Sequence, residues 1–519
     1  MVLIFLGGFM EAFEAFVATT NGYLSNYILL ILLIGVGLFF TIRTKFVQVR
    51  CFGEGMKKVF GNFSLRGGKQ EGGISSFQAL ATAIAAQVGT GNIVGACGAI
   101  LVGGPGAIFW MWVIAFLGMA TIYAEAVLAQ KTRVVNPDGS VSGGPIYYIK
   151  TAFKGKFGKF LAGFFAVATI LSLGFMGVMV QSNSIGGSVS NAIAQSTGWS
   201  HEFSFIGMPI DTVACIAGVV VVIISAVIFL GGVNRLASVM EKIVPIMAAI
   251  YIIGCIAVLI IRIEHIPETF KMIFSYAFNA KAVIGGSIGS AIMIALQNGA
   301  KRGLFSNEAG MGSTPHAHAL AKVKDPHEQG VSAMVGVFID TFIVLNLTAC
   351  VVISTLYAGG GIGGIGTLTN PESYGALGDG LLNKGVFAEA TYSQDTLAQL
   401  AFSSAFGEVI GDKAGNIVGS IFVAVCLFFF AISTILSWNL FGKLNFEYLF
   451  RKKGMLVFTI LALVFIFVGS VLKVELVWAL MDFFNYLMVL PNTVALFALS
   501  TMVAVCSNRR KKDRLESML

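Results

Sequence analysis

The sequence predicts an all-α integral membrane protein with about eleven transmembrane helices. Of its 519 residues, 56% are hydrophobic and 12% are charged, a balance typical of membrane proteins rather than of soluble domains. Glycine, at 62 residues, far outnumbers the 10 prolines, which favours closely packed helices over disorder. A helix needs about 20 residues to cross a bilayer, and eleven apolar stretches are about that long or longer. They cover roughly residues 25–43, 75–103, 106–130, 158–184, 211–231, 237–261, 284–312, 330–357, 415–441, 455–472 and 476–503.

The first 74 residues are expected to form an N-terminal segment that is accessory to the main helices. Residues 1–17 carry Glu11 and Glu14 but no basic residue, which makes a poor signal peptide and favours a short interfacial helix. The span 25–43 has no polar interior and is followed by the most basic loop. It is therefore expected to be an accessory transmembrane helix leading into a basic cytoplasmic loop.

The basic residues are distributed unevenly between alternate loops. If the N-terminus lies outside, 28 of the 34 Lys and Arg residues lie in cytoplasmic segments. The remaining six are Arg262, Lys271, Lys281, Lys384, Lys413 and Lys473. Because cytoplasmic loops carry an excess of basic residues, this distribution predicts an outside N-terminus and a cytoplasmic C-terminus in the plasma membrane. It also accounts for the net charge of +8 through topology and contact with anionic lipid, so no nucleic-acid partner is expected.

The ten spans after the accessory helix divide into two groups of five. The first group covers residues 75–261 and the second residues 284–503, with an extracellular connection at 262–283 and a basic cytoplasmic tail at 504–519. An odd number of spans makes the second group enter the membrane from the opposite side, as an inverted-topology repeat requires. The polar segment 358–410 then lies outside and is expected to form a lid of short helices; a loose extracellular loop is the alternative.

Two of these spans contain polar, glycine-rich sequence where a continuous helix is expected. The span 75–103 contains Gln87-Val-Gly-Thr-Gly-Asn92, and the span that opens the second group continues as Glu308-Ala-Gly-Met-Gly-Ser313. Glycine costs about 1 kcal/mol relative to alanine inside a helix, and hydrocarbon does not satisfy free backbone groups. We therefore predict two discontinuous helices whose breaks line a binding site. A straight helix with small residues for tight packing is the alternative.

The uncharged polar groups at the two breaks suit a small zwitterionic substrate. Backbone amides at a helix N-terminus bind a carboxylate, and carbonyl or amide oxygens accept hydrogen bonds from an ammonium group. The close approach of glycine backbones favours a small side chain. Trp438 is expected to form a wall of the pocket, with packing or interfacial anchoring as the alternative for its indole. The candidate substrate-binding residues are Gln87, Thr90, Gly91, Gln181, Ser306, Asn307 and Trp438.

The segments QALATAIAAQVGTGNIVG (residues 78–95) and RGLFSNEAGMGS (residues 302–313) resemble the alanine or glycine:cation symporter family. The resemblance in hydropathy extends over nearly the whole chain. It implies symport of small amino acids with sodium by a leucine-transporter type of fold, built from five plus five inverted helices. We therefore expect sodium-coupled uptake of a small neutral amino acid such as alanine or glycine by alternating access.

The resemblance also implies a sodium site where the first break meets the ninth span. In leucine-transporter-type folds this span supplies hydroxyl groups, and the first broken helix supplies carbonyls. Carried onto this sequence, the expected sodium ligands are Gly89, Asn92, Ser433 and Thr434. A serine–threonine pair that bonds the preceding turn of its own helix is the alternative.

A charge inside a membrane span costs roughly 2.5–3.5 kcal/mol on insertion scales, and four ionisable residues inside predicted spans are functional candidates. They are Asp340, Glu125, Glu308 and Arg302. A pairing of Arg302 with one of the three carboxylates would neutralise both charges and could serve as an inner gate; a purely structural ion pair is the alternative. Asp340, the deepest of the four, keeps a proton-coupled mechanism open.

Several other function classes are not supported by the sequence. Residues 89–95 lack the dinucleotide spacing G-x-G-x-x-G, and no nucleophile–base pair or phosphate loop can be assembled, so neither an enzyme nor an ATP-driven pump is expected. No cofactor is expected apart from Na⁺ as the coupling ion. The seven cysteines have no paired spacing, so structural disulfides are not expected. Proton coupling, a larger substrate such as glutamine, and a passive channel remain as alternatives.

Overall fold

A computed structural model of the chain describes residues 2–61, 74–137, 139–205, 208–278, 288–360, 394–451, 453–472 and 474–516. Nearly all of these residues are helical, which confirms the all-α class. The strands of this part of the chain form two short antiparallel hairpins. They are β1 (Val134–Val135) with β2 (Val141–Ser142), and β3 (Glu202–Phe205) with β4 (Met208–Asp211).

The helices follow the order of the predicted spans. The N-terminal segment contains α1 (Val2–Tyr23), α2 (Leu30–Arg43), α3 (Val47–Arg50) and α4 (Phe52–Phe60). The first group contains α5 (Ser76–Gln87), α6 (Ala96–Gly103), α7 (Gly106–Thr132), α8 (Pro145–Ala152), α9 (Gly155–Thr169), α10 (Val178–Thr197), α11 (Thr212–Phe229) and α12 (Gly232–Ile261).

The second half of the chain continues in the same way. It contains α13 (Ile266–Phe278), α14 (Ile288–Asn307), α15 (Pro315–Leu320), α16 (Pro326–Val337), α17 (Asn346–Leu356), α18 (Gln394–Ile410), α19 (Asp412–Phe450), α20 (Met455–Val471), α21 (Val474–Ala498) and α22 (Ser500–Glu516). Wider π-helical turns join several of these helices, at Leu24–Leu29, Gly91–Gly95, Ile170–Gly177 and Phe338–Leu345. Short 3₁₀ turns lie at Ile263–His265 and Ala358–Gly360.

Eight helical stretches within the described segments are long and apolar enough to cross a membrane. They are Ala15–Arg43, Gly106–Thr132, Gly155–Thr197, Thr212–Phe229, Gly232–Ile261, Pro326–Leu356, Asp412–Phe450 and Val477–Ala498. Ser76–Gln87 and Gly91–Gly103 form a bent pair of helices, and the described segments have nine candidate spans if this pair counts as one. Met455–Val471 is a shorter apolar helix. The chain is therefore a multi-pass membrane protein, whereas the count of eleven spans stays a prediction.

The N-terminal helix is longer than the sequence suggests. Helix α1 continues through the π-helical turn into α2 with right-handed helical backbone angles at Tyr23 and Leu30. The membrane-length stretch accordingly begins at Ala15 rather than near residue 25. The interfacial position of residues 1–17 stays a prediction.

Segments that the predicted topology places on the same side of the membrane contact each other. One such contact lies at each end of α7. At its C-terminal end, Gln130 Nε2 donates to the carbonyl oxygens of His318 at 2.5 Å and Ala321 at 2.9 Å. At its N-terminal end, a Cβ added to Gly106 would lie 2.4 Å from the backbone nitrogen of Ala277. Because a helix of 27 residues is about 40 Å long, these contacts lie on opposite sides of a bilayer core.

The first predicted break is a bend of 46° between α5 and the helical segment Gly91–Gly103. Helix α5 begins with a capping box at Ser75 and ends at Gln87, where Val88 leaves helical geometry with ψ of 80°. The chain resumes as a π-helical turn at Gly91. The prediction of a discontinuous helix is confirmed here.

The second predicted break follows α14. Glu308, Gly310 and Gly312 all have positive φ, at 57°, 94° and 79°, a backbone conformation that a helix cannot contain. The chain becomes helical again only at Pro315. Both interrupted spans therefore exist, although the internal repeat that would relate them stays a prediction.

The predicted lid, residues 358–410, is only partly described. Residues 361–393 lie outside the described residues. The remainder forms α18, whose backbone packs directly on α19: a Cβ on Gly419 would lie 2.4 Å from the backbone nitrogen of Ser403. Glu408 on α18 also forms an ion pair with Arg262, 2.7 Å apart. The described end of this segment is thus a packed helix, not a loose loop.

Candidate functional site

The two breaks lie against each other in the middle of the protein. Gln87 Nε2 donates to the carbonyl oxygen of Asn307 at 2.8 Å, so a side chain at the end of α5 caps the end of α14. A Cβ on Gly91 would lie 3.0 Å from Ser306 Cα. The two backbones therefore approach so closely here that glycine is required at position 91. The polar residues of both breaks are buried together and share one site.

Asp340 joins the two breaks. Asn92 Nδ2 donates to Asp340 Oδ1 at 2.6 Å and to its backbone oxygen at 3.1 Å. Ser306 Oγ donates to the same carboxylate at 2.9 and 3.1 Å, and Thr341 Oγ1 donates at 2.8 Å. All four side chains are fully buried. Asp340 lies in the π-helical turn Phe338–Leu345, whose wider turn brings successive polar side chains to the same place.

Two of the residues expected to bind sodium, Gly89 and Thr434, lie together where the end of α5 meets α19. A Cβ on Gly89 would lie 2.4 Å from Thr434 Oγ1 and 3.3 Å from Gln181 Oε1, so these three residues meet. Thr434 Oγ1 lies within donating distance of two carbonyl oxygens, that of Ala85 at 2.7 Å, one turn before the break, and that of Phe430 on its own helix at 3.0 Å. The backbone nitrogen of Gly89 donates to Asn92 Oδ1 at 3.1 Å. Backbone and hydroxyl oxygens therefore converge beside the first break.

Ser433 does not join this group. Its hydroxyl donates to the carbonyl oxygen of Phe430 on its own helix at 2.8 Å and contacts Met247 Sδ at 3.5 Å. This is the arrangement that we gave as the alternative for a serine–threonine pair. The structure places Thr434 at the first break and turns Ser433 toward α12.

Gln181 contacts the first break directly. Its Oε1 accepts a hydrogen bond from the backbone nitrogen of Thr90 at 3.2 Å. Its Nε2, together with Thr90 Oγ1 and Gln87 Oε1, is buried without a hydrogen-bond partner among the described residues. Buried polar groups are rarely left unpaired, because each costs about 1–3 kcal/mol of desolvation. These three atoms are therefore each able to form a further hydrogen bond.

Trp438 is fully buried beside the second break. Its indole Nε1 donates to Glu308, and its ring stands edge-on to Phe305 with centroids 5.8 Å apart. A Cβ on Gly177 would lie 2.6 Å from the indole ring, so the π-helical turn that leads into α10 contacts the ring. Trp438 therefore connects the second break to the helices that carry Gln181 and Thr434.

Asn307 completes the second break from its own end. Its Oδ1 accepts from the backbone nitrogen of Ala309 at 3.1 Å, and its Nδ2 lies 3.4 Å from Thr341 Oγ1. All the predicted substrate residues, from both breaks and from α10 and α19, thus lie around one buried region. Ser433 alone among the predicted site residues has contacts that point elsewhere.

Two buried carboxylates hold the unwound segment after α14. Glu125 accepts hydrogen bonds from the backbone nitrogens of Gly310 at 3.2 Å and Gly312 at 3.0 Å. It also accepts from Asn492 Nδ2 at 2.6 Å. Glu308 accepts from Ser313 Oγ at 2.5 Å. The amides of Gly310 and Gly312 are therefore satisfied by the protein itself.

The suggested pairing of Arg302 with these acids is wrong. Its guanidinium lies 4.5 Å above the ring of Trp478, and Nη2 donates to Gln394 at 3.3 Å. Asp340, Glu125 and Glu308 form no ion pair with any described residue. Hydrogen-bond donors that are closer in space satisfy these acids, and Arg302 faces the opposite direction, toward α18 and α21.

Sequence reasoning missed Thr341, Asn492 and Tyr148 as parts of this polar network. Tyr148 OH donates to Asn492 Oδ1 at 2.5 Å, which extends the network around Glu125. Asn492 follows Pro491 inside an otherwise apolar span. A polar amide at that position is the sequence signal that could have identified it.

Comparison with known proteins identifies the family. A model of the sodium:alanine symporter family matches residues 10–517. The "Sodium/alanine symporter AgcS" of Methanococcus maripaludis is 37% identical over 492 residues, 95% of this chain and 96% of that protein. The "Putative sodium/proton-dependent alanine carrier protein YrbD" of Bacillus subtilis is 34% identical over 505 residues, 96% of this chain and 93% of that one.

A third relative differs in its named substrate. The "Probable sodium/glutamine symporter GlnT" of Bacillus subtilis is 33% identical over 495 residues, 95% of this chain and 90% of that protein. The residues that the family model matches, 10–517, include both breaks and the helices that surround them. The chain is a membrane transport protein and belongs to the sodium:alanine symporter family.

Proposed function

We propose that this protein takes up a small neutral amino acid, such as alanine or glycine, together with Na⁺ by alternating access. The observation that carries the proposal is the contact between two interrupted spans with unsatisfied polar atoms at Thr90 and Gln181. The unpartnered Nε2 of Gln181 can donate to the substrate carboxylate, and the unpartnered Oε1 of Gln87 can accept from the ammonium group. Gly91 and Trp438 limit the room for a side chain.

Sodium is assigned to the oxygens between Gly89 and Thr434. A monovalent cation needs hard oxygen ligands, which carbonyls of the first break and the Thr434 hydroxyl supply without a titratable group. Because the same break faces the substrate residues, a bound ion would order the substrate site, which is the coupling that symport requires. One charge crossing about 100 mV releases about 2.3 kcal/mol to drive accumulation.

The positive charges and the contacts at the ends of α7 support an outside N-terminus and a cytoplasmic C-terminus. The two interrupted spans, each first in its group of five, support an inverted repeat of the leucine-transporter type. In this arrangement the first two spans of each repeat rock as a bundle against the remainder.

Proton coupling is the second candidate, and Asp340 is the observation that favours it. This carboxylate contacts both breaks through Asn92 and Ser306. Protonation would convert one of its oxygens from an acceptor to a donor and so change contacts at both breaks at once. The name of one relative also includes proton dependence.

Uptake of labelled alanine into proteoliposomes that contain the purified full chain tests both proposals. With pH and voltage clamped, accumulation above equilibrium is expected with an inward Na⁺ gradient and not after K⁺ replacement. Thr434→Ala should raise the Na⁺ concentration for half-maximal uptake by roughly tenfold, the equivalent of about 1.4 kcal/mol. Ser433→Ala is the matched control and should leave it nearly unchanged.

The opposite results are equally informative. Uptake that ignores Na⁺, follows an imposed pH gradient and disappears in Asp340→Asn would overturn sodium coupling and assign the coupling to Asp340. Competition by glycine, serine and glutamine at fixed Na⁺ defines the substrate class; stronger competition by glutamine than by glycine would contradict a pocket for small side chains.

A further inference from the structure

A group of metal-ligating side chains lies away from the site described above. Cys51 Sγ, a carboxylate oxygen of Glu54 and a ring nitrogen of His327 all lie within 4.8 Å of one another. Cys51 and Glu54 lie at the start of α4, and His327 lies in the first turn of α16. The transport mechanism proposed above uses none of these three residues.

We propose that Cys51, Glu54 and His327 form a zinc-binding site that joins α4 to α16. A thiolate, an imidazole and a carboxylate are the ligand types of Zn²⁺, whereas Na⁺, Mg²⁺ and Ca²⁺ prefer oxygen ligands alone. Three protein ligands leave the fourth tetrahedral position for water or another donor. The ligand set therefore selects a borderline-soft divalent metal and not the coupling ion.

The separation of the His327 and Glu54 ligand atoms fits such an ion. His327 Nε2 and Glu54 Oε2 are 3.4 Å apart, longer than a good hydrogen bond between these groups. In a tetrahedral zinc site, metal–ligand bonds of about 2.0–2.2 Å separate a nitrogen and an oxygen ligand by roughly 3.3–3.5 Å. The two atoms already have the separation that they would have on a shared zinc ion.

His327 is oriented for this role by a second hydrogen bond. Tyr123 OH lies 2.7 Å from His327 Nδ1, so the other ring nitrogen, Nε2, is the one that faces Glu54. Metal-binding histidines commonly use their second nitrogen in this way. The backbone nitrogen of His327 donates to Oδ1 of Asp325, the N-cap residue of α16, at 2.9 Å, which fixes the backbone of His327. The Glu54 side chain is 25% exposed, which gives an ion access to two otherwise buried ligands.

A zinc ion here would link two helices that already pack closely. A Cβ on Gly55 would lie 2.7 Å from the carbonyl oxygen of Val331, and Lys58 forms an ion pair with Glu328 at 2.5 Å. Helix α16 continues directly into the turn that carries Asp340. Zinc would thus hold this helix in place and inhibit transport; that effect rests on the proposed function, whereas the binding site does not.

Metal binding is measured first, without transport. The purified full chain is stripped with chelator under reducing conditions and titrated with Zn²⁺ against a chromogenic zinc indicator. One Zn²⁺ per chain is expected. Cys51→Ser and His327→Gln should each weaken binding by at least about 100-fold, and Tyr123→Phe by roughly tenfold, because it removes only the partner of a ligand.

Matched controls separate ligand loss from general damage. Lys58→Met removes the neighbouring ion pair and Cys215→Ser removes a thiol on another helix, and both should bind zinc as the unmodified chain does. Co²⁺ added to the stripped protein should give a thiolate charge-transfer band that Cys51→Ser abolishes. Melting curves without metal show whether each variant is folded.

The proposal is overturned if no stoichiometric zinc binds at micromolar concentration, or if a folded Cys51→Ser variant binds zinc as tightly as the unmodified chain. If a variant fails to fold, the unmodified protein still tests the proposal. Absence of the Co²⁺ charge-transfer band in the unmodified protein also overturns it. If zinc binds and alanine uptake is zinc-insensitive, the site stands and the assigned inhibition is wrong.

Discussion

The two helix breaks are similar in sequence but differ in what satisfies their backbone and side chains. At the first break, uncharged groups contact one another: Gly89 donates to Asn92, and Thr90 donates to Gln181. At the second break, carboxylates accept from the freed groups: Glu125 accepts from two glycine amides, and Glu308 from Ser313. Among the described residues, three polar atoms at the first break have no hydrogen-bond partner, on Gln87, Thr90 and Gln181, against one at the second break, Thr314 Oγ1.

This difference indicates a division of roles. A break whose donors are already bonded to buried acids gains little from a ligand, because those bonds would have to be exchanged. A break with unsatisfied polar atoms gains the full value of each new hydrogen bond. We therefore propose that the first break is the side that binds ions and substrate, and that the second is mainly a support that the protein holds in shape. The following predictions test that comparison, starting with the largest effect.

Gly89→Ala should nearly abolish uptake. The new Cβ would lie 2.4 Å from Thr434 Oγ1 and 3.3 Å from Gln181 Oε1, inside the proposed sodium site. We expect at least a roughly tenfold loss of Na⁺-driven alanine uptake, the equivalent of about 1.4 kcal/mol. Gly95→Ala is the control, since its Cβ would meet only the Thr90 carbonyl oxygen at 4.0 Å. Similar uptake by both variants would contradict the assignment of the first break.

Glu125→Gln should act mainly on stability. Glutamine would turn an NH₂ group toward at least one of the three donors that now bond the carboxylate, from Gly310, Gly312 and Asn492. An unsatisfied buried donor costs about 1–3 kcal/mol of unfolding free energy. Thermal unfolding of the detergent-solubilised protein should show this loss, with the Na⁺ dependence of residual uptake unchanged. Glu264→Gln, at an exposed position, is the control. A changed Na⁺ dependence with normal stability would mean that the second break binds the ion.

Gln181→Ala should give the smallest effect, on the apparent KM for alanine. Its amide is proposed to contact the substrate, so we expect KM to rise about five- to tenfold, the equivalent of about 1–1.4 kcal/mol. Asn183→Ala is the matched comparison, since Asn183 Nδ2 donates to the carbonyl oxygens of Gly469 and Leu472, both at 2.8 Å. That variant should lower stability and leave KM unchanged. The reverse pattern would remove Gln181 from the substrate site.

Much of the first break could be predicted because its information is local. Gly89, Thr90 and Asn92 lie within a few residues of one another, and glycine and polar residues in an apolar span are unfavourable unless they serve a purpose. Gln181 was expected near the site from its level in the membrane, and it does contact Thr90.

Side-chain partners at long range were not predictable in the same way. Asp340 was recognised as an unusual charge, but not as the group that joins Asn92 to Ser306. The charge of Arg302 suggested an ion pair with the acids, whereas the helix rotation points it toward Trp478. Ser433 and Thr434 are adjacent in sequence and diverge by about 100° around α19, so only one of them can face the break.

The sequence by itself determined that this protein is helical, crosses a membrane several times and interrupts two of its spans. A bilayer imposes those properties on each segment separately, through length, apolarity and the satisfaction of backbone groups. Tertiary structure alone decided which polar groups meet. Asn92 and Asp340 are 248 positions apart, and Cys51 and Glu54 lie in a different segment of the chain from His327. Such contacts depend on how helices rotate and pack against one another, and no local pattern of residues fixes that rotation.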